Sequence, residues 1–162
     1  MGKIALADVL RLVISLVVCQ LAGFVGSLFT TPAIPTWYST LQKPTFNPPN
    51  WLFAPVWTVL FLLMGIALFL VWRKGLQTQG VGIALIAFTI QLALNILWSI
   101  LFFGLRSPLA GFVEIAVLWI AILVTILTFW RVSHLAAGLL IPYIVWVSFA
   151  AVLNAYLWRL NP

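Results

Sequence analysis

The sequence predicts an all-α membrane protein: a bundle of five transmembrane helices with a long ordered loop between the first and the second. Three observations predict it. Of the 162 residues, 65% are hydrophobic and only 6% charged, and the mean hydropathy is +1.21. Soluble domains carry about 25% charged residues, so this chain has too few polar side chains to cover a surface facing water. The apolar residues fall into five stretches, each near the roughly 20 residues that cross about 30 Å of hydrocarbon at 1.5 Å per residue. These stretches are continuously apolar, without the in–out alternation of a membrane barrel. The composition excludes a soluble enzyme, a coiled coil, a disordered chain and a disulfide-stapled secreted module.

The first span covers residues 6–29. It lacks a small-residue cleavage site and is full length, so it reads as a retained helix and not as a removed signal peptide. The loop over residues 30–53 holds Pro32, Pro35, Pro44, Pro48 and Pro49 to stiffen it, and Trp37, Tyr38, Phe46 and Trp51 to pack with. Disordered linkers are poor in aromatics, and a long connection in a bundle is usually functional or disordered. The loop is therefore expected to be an ordered lid over one end of the bundle. Composition alone also allows an interfacial loop whose Trp and Tyr sit at headgroup level. The second span, 54–72, opens with Pro55 in its first turn, where the missing N–H costs nothing, and ends at Arg73-Lys74-Gly75. The third, 81–103, turns tightly through Gly104-Leu105-Arg106-Ser107-Pro108 into the fourth, 109–130. Arg131 to His134 lead into the fifth, 136–158, where Pro142 is expected to kink the helix around Ile141 to Trp146.

The net charge of +6 comes from basic residues spread along the whole chain, which makes no patch for nucleic acid. They read as topology signals instead. Lys3, Arg11, Arg73, Lys74 and Arg131 fall on the side of the N-terminus, against Lys43, Arg106 and Arg159 on the other. The positive-inside rule then places the N-terminus in the cytoplasm and the long loop outside, as suits a multi-pass protein of a bacterial cell membrane. Cys19, the lone cysteine, has no internal disulfide partner.

Polar residues inside a span are costly and face the bundle interior. Here they are Gln20, Gln91, Asn95, Glu114 and Asn154. Gln91, Asn95, Trp98 and Phe102 share one face of the third span, and Tyr143, Trp146, Ala150 and Asn154 one face of the fifth. Rise arithmetic puts Asn95 and Asn154 roughly 20–27 Å from the inner ends of their helices, in the half beneath the loop. Gln20 and Gln91 are expected to bond neighbouring helices. Asn95 with Trp98 and Trp146 suits the apolar, aromatic wall of a pocket with a few orienting polar groups. Glu114 lies about one turn into the fourth span, within reach of the interface, and has no second carboxylate for acid–base work. His134 stands in a short loop without Cys or carboxylate near it, so no metal site is expected. Leu153, Tyr156 and Arg159 fit a loose sterol-contact pattern, equally explained by an aromatic belt with a snorkelling arginine.

Taken together, these residues resemble the translocator protein family, TspO/MBR, the tryptophan-rich sensory proteins. Three motifs carry the likeness: Trp37-Tyr38-x-x-Leu41-x-Lys43-Pro44-x-Phe46-x-Pro48-Pro49-x-Trp51-x-Phe53-x-Pro55-Val56-Trp57; Asn95-x-x-Trp98-Ser99 followed by Phe102-Phe103; and Pro142-Tyr143-x-x-Trp146-x-x-Phe149-Ala150-x-x-Leu153-Asn154. Asn50 stands where the family commonly has Gly. The resemblance implies a five-helix bundle, often a homodimer in the lipid bilayer, with a pocket closed by the first loop. Its implied ligands are tetrapyrroles (protoporphyrin IX, haem), sterols, and isoquinoline or benzodiazepine drugs, with no resident cofactor. The implied pocket residues are Trp37, Tyr38, Trp51, Asn95, Trp98, Trp146 and Ala150, and the implied sterol motif is Leu153, Tyr156 and Arg159. Small residues at Gly80, Ala84 and Ala87 offer a seam where two third helices could approach closely, and the first span offers another set at Ala22, Gly23 and Gly26.

Two functions suit this pattern ahead of a third, a regulator acting through partner proteins, for which the sequence offers no obvious docking segment. The first is binding, with transport or sensing, of a tetrapyrrole stacked between Trp and Phe rings, with Lys43 pairing a propionate. The second is breakdown of protoporphyrin IX by light and oxygen at Trp51 and Trp146, which needs a redox-active indole and no acid–base pair.

Overall fold

The computed structural model describes residues 6–162; Lys3, one of the basic residues assigned to the N-terminal side, lies outside the described residues. Five helical segments are long and apolar enough to cross a membrane: Leu6–Tyr38, Asn50–Trp72, Val81–Gly104, Pro108–Trp130 and His134–Leu160. Within them α1 is Leu6–Ala33, α2 Phe53–Trp72, α3 Val81–Ser99, α4 Pro108–Trp130, α5 His134–Leu139 and α6 Ile141–Leu160. The outward faces are apolar, as at Val13, Val17, Leu21 and Leu28 of α1, because the surrounding solvent is hydrocarbon and gives no reason to hide such residues.

Asp8 near the start of α1 lies 3.1 Å from Arg11 and 3.9 Å from Arg73, just after α2. This puts the start of α1 and the end of α2 at one end of the bundle, with the loop at the other. Away from the loop the core is largely apolar. Met64, Ala67 and Val71 of α2 share it with Ile115, Leu118 and Ile122 of α4 and with the Phe88–Phe129 stack, whose rings are 5.7 Å apart.

Three boundaries differ from the sequence reading. The first helix does not stop at residue 29: α1 runs on into a π turn, Ile34–Tyr38, and helical structure reaches residue 40. Irregular chain is confined to residues 41–49, followed by a short 3-10 turn, Asn50–Leu52. Pro32 and Pro35, which suggested loop, sit inside this helix. Proline keeps a helical φ but removes the N–H and crowds the carbonyl four residues back, which a widened turn can relieve. The hydroxyls of Thr36 and Ser39 donate back to the carbonyls of Pro32 (2.8 Å) and Pro35 (3.0 Å), which binds the widened turn together. The third span likewise finishes in a π turn, Ile100–Gly104, closed by Leu105 N–H on the Ile100 carbonyl at 2.8 Å. The fifth span breaks at Leu140, one residue ahead of the expected kink, because Pro142 occupies the first turn of a new helix.

The small residues serve the bundle itself. Ala84, expected on a seam between copies, is fully buried within the chain. Gly65 brings α1 and α2 into backbone contact: a Cβ there would stand 3.0 Å from Leu16 Cα and 3.2 Å from the Ser15 carbonyl oxygen. Neither atom can rotate away. Gly65→Ala is therefore expected to destabilise the chain by about 1–3 kcal/mol through overpacking, while Gly82→Ala, whose Cβ meets nothing within 4 Å, should cost nothing and can add up to about 1 kcal/mol of helix propensity. Thermal unfolding of both variants in the same detergent checks this.

Candidate functional site: a cavity beneath the loop

The two faces singled out on the third and fifth spans meet. The Tyr143 hydroxyl donates to Gln91 Oε1 at 3.0 Å and accepts from Asn95 Nδ2 at 2.9 Å. One helical level nearer the loop, Trp98 Nε1 donates to Asn154 Oδ1 at 3.2 Å, and Asn154 Nδ2 donates to the Pro108 carbonyl at 2.7 Å. Trp98 lies flat on Phe102, with ring centres 5.2 Å apart and planes 12° from parallel. Gly111 of α4 permits this approach, since a Cβ there would fall 2.7 Å from the Phe102 ring and 3.0 Å from Asn154 Oδ1. These bonds fix a rigid back wall made of α3 and α6.

In front of that wall, α1 and α2 leave a cavity of about 370 Å³, which the loop end covers with Tyr38, Asn50 and Phe53. The volume is in the range of small-molecule sites, about 300–1,000 Å³. Tyr38, Asn95, Trp98, Trp146 and Ala150, all expected in a pocket, line it. Two expected residues do not. Trp37 turns behind Tyr38 and packs edge-on against Phe102 at 5.5 Å and Phe103 at 6.4 Å. Trp51 is 72% exposed; on a three-residue turn flanked by Asn50 and Phe53, both of which line the cavity, it has only the outside to face. The sterol triad is also divided: Leu153 is buried on the cavity wall, whereas Tyr156 and Arg159 are exposed. Lys43 is turned to the loop itself, donating to the Leu41 carbonyl at 3.2 Å and standing 4.8 Å over the Tyr38 ring.

Other wall residues went unnoticed in the sequence. Phe53, Trp57 and Phe61 of α2 line the cavity at i, i+4 and i+8, a spacing visible in hindsight but submerged in a helix that is apolar all round. On α1, Gln20, Gly23, Ser27 and Thr30 form a stripe of small and polar residues along the same cavity.

The roof is tied down. The Asn161 side chain accepts from Gln42 N–H at 2.9 Å and donates to the Gln42 carbonyl at 3.0 Å. The Tyr38 hydroxyl donates to Asn47 Oδ1 at 2.7 Å, and the Phe46 ring packs edge-on against Tyr156 at 5.1 Å. The wall is aromatic and aliphatic with scattered amides and hydroxyls, and among the described residues no carboxylate, lysine, histidine or cysteine lies along it. Asn95 commits an amide hydrogen to Tyr143, and its carbonyl oxygen has no partner among the described residues. Such a site can hold a flat apolar body and orient it by few hydrogen bonds. Glu114, expected near the interface, is instead buried at 5% exposure, and neither carboxyl oxygen has a partner among the described residues; it lies off the cavity, in the seam of α4 with α3.

Residues 15–159 match the TspO/MBR family. The chain is 49% identical to the tryptophan-rich protein TspO of Chlorobaculum tepidum, covering 96% of this chain and 98% of the relative. It is 46% identical to the tryptophan-rich protein TspO of Archaeoglobus fulgidus, over 95% and 99%. It is also 40% identical to the human translocator protein, over 88% and 85%.

Tyr143 joins Gln91 to Asn95 and is fully buried. Tyr143→Phe leaves an amide hydrogen and a carbonyl oxygen unpartnered in the bundle and is expected to cost about 1–3 kcal/mol, read as a lowered thermal midpoint in detergent.

Proposed function

The chain belongs to the TspO/MBR family of membrane proteins, and from that premise we propose that it is a membrane receptor, or carrier, binding a tetrapyrrole in the cavity under its loop. The observation that carries the reading is the cavity itself: about 370 Å³, walled by Phe53, Trp57, Trp98 and Trp146 and oriented by the free Asn95 oxygen. A flat macrocycle fits walls of this kind because aromatic faces stack, at about 0.5–1.5 kcal/mol per pair beyond area burial. The apolar wall would also accept the flat skeleton of a sterol or an isoquinoline drug. A sterol site built jointly from Leu153, Tyr156 and Arg159 has less support, since those side chains point to different sides of α6.

A second reading, breakdown of protoporphyrin IX by light and oxygen, draws on the indoles at the cavity wall. It loses Trp51, which faces outward, and rests on Trp146, whose ring packs at 6.3 Å from Phe53. Trp98 is a weaker candidate for such chemistry because its N–H is committed to Asn154.

Titration of the detergent-solubilised chain with protoporphyrin IX in the dark, followed by tryptophan quenching, tests the first reading. Saturable binding is expected, and Ala150→Phe, which drives a ring into the cavity, is expected to weaken it at least tenfold with the thermal midpoint retained. Absence of saturable binding in the unaltered chain overturns the reading. Illumination of the complex then separates the two functions: an unchanged porphyrin spectrum favours the receptor, and a new product that Trp146→Phe abolishes favours the photochemical enzyme.

A further inference from the structure

We propose that the cavity is reached sideways from the bilayer, through the seam between α1 and α2, with the Gln20–Thr58 hydrogen bond as its sill. The ligand that this route admits is an amphiphile with an apolar body and a polar edge, already dissolved in the membrane. The proposal deepens the receptor reading and rests on it for one of its two probes.

The geometry of the seam is uneven. At Gly65 the two helices touch backbone to backbone, with Leu16 Cα 3.0 Å from the site of a Cβ. Nearer the loop the Phe61 ring leans into the space left by Gly23, 2.6 Å from where a Cβ would be. At that level the Gln20 amide donates across to the Thr58 backbone carbonyl at 3.3 Å. Beyond it no hydrogen bond joins α1 to α2 among the described residues. There the residues that line the cavity are also exposed: Phe24 (59%) and Thr31 on α1, Ala54 and Thr58 on α2. The cavity wall thus passes into the outer surface. That surface is lipid-facing, since Leu21 and Leu28 on one side and Val59 and Leu62 on the other are all exposed and apolar.

The loop end is a poorer entrance. Lifting it means breaking the paired bonds of Asn161 with Gln42, the Tyr38–Asn47 bond and the Phe46–Tyr156 contact together. Opening the seam means parting the Phe61–Gly23 contact and breaking one long, exposed hydrogen bond. Chemistry agrees with position. The slot sets aromatic rings against the small hydroxyl side chains of Ser27, Thr30 and Thr58, has no charged residue among the described residues, and has Thr31 and Asn50 at its loop end, both exposed. An amphiphile can slide its ring system in while its polar edge stays at headgroup depth, with no charge crossing hydrocarbon.

The test uses the full chain in lipid vesicles carrying protoporphyrin IX, with association and dissociation followed by tryptophan quenching in stopped flow. Ala54→Phe, or independently Ser27→Phe, narrows the slot. Each is expected to slow association and dissociation together, at least tenfold, whereas mere crowding of the cavity would slow association and speed dissociation. Asn161→Ala, which frees the loop, is expected to change neither rate by more than about twofold. Exchange at the unaltered rate in both slot variants, or a tenfold acceleration in Asn161→Ala, overturns the proposal. A second readout needs no porphyrin. Phospholipids brominated in mid-chain quench the tryptophans they touch, and subtraction of a Trp57→Phe variant isolates Trp57, on the cavity wall beside the seam. Trp57 is expected to be quenched in the unaltered chain and protected by Ala54→Phe; equal quenching in the two overturns lateral access even where porphyrin binding fails.

Discussion

Hydrocarbon offers no hydrogen-bond partner, so a polar group inside a span is costly unless the chain itself supplies one. The architecture of the site follows from that constraint. The bundle contains few amides, and Gln91, Asn95 and Asn154 all lie between α3 and the α4–α6 side of the molecule, where Tyr143, Trp98 and the Pro108 carbonyl answer them. Because each of these bonds needs its partner at a set distance, α3 and α6 are held in one register. The aromatic residues between the amides then stand along a wall whose shape does not depend on a ligand being present. Interhelical bonds of this kind contribute modestly one by one, and their joint effect here is one of alignment more than of total stability.

The opposite side of the cavity obeys a different rule. Between α1 and α2 close contact is made by the absence of side chains, at Gly65 and Gly23, and by shape alone. Packing of this sort is tight at the point of contact and weak a turn away, since dispersion falls off steeply with a gap of even 0.5–1 Å. A wall held by several interhelical hydrogen bonds, faced by one held by packing and a single such bond, gives a cavity with a firm half and a yielding half.

How much of this the sequence made legible depends on the kind of signal. The five spans follow from length and hydropathy, which are read without neighbours. The pairing of the Gln91–Phe102 face with the Tyr143–Asn154 face was visible because polar residues are rare in an apolar helix and their spacing therefore stands out. The cavity face of α2 was not, because Phe53, Trp57 and Phe61 are apolar residues among apolar residues. Trp37 and Trp51 show a further limit. A motif names the residue types of a site but not which way each points, and on a π turn and a 3-10 turn neighbouring positions diverge quickly. The prolines misled for a related reason: in water Pro32 and Pro35 would mark a loop, whereas here a widened turn and two hydroxyls absorb them into the helix.

That widened turn has one more consequence. A π turn carries an extra residue relative to the α-helix around it, so the stretch Ile34–Tyr38 holds one residue in reserve. Its five residues sweep about the same angle as four at ordinary pitch, so loss of one there would return the helix to α geometry and leave everything beyond it facing nearly as before. Loss of a residue from the regular helix ahead of it would instead swing Tyr38 by about 100°, off the roof of the cavity. The π turn and the regular helix before it therefore differ sharply in their tolerance of deletion.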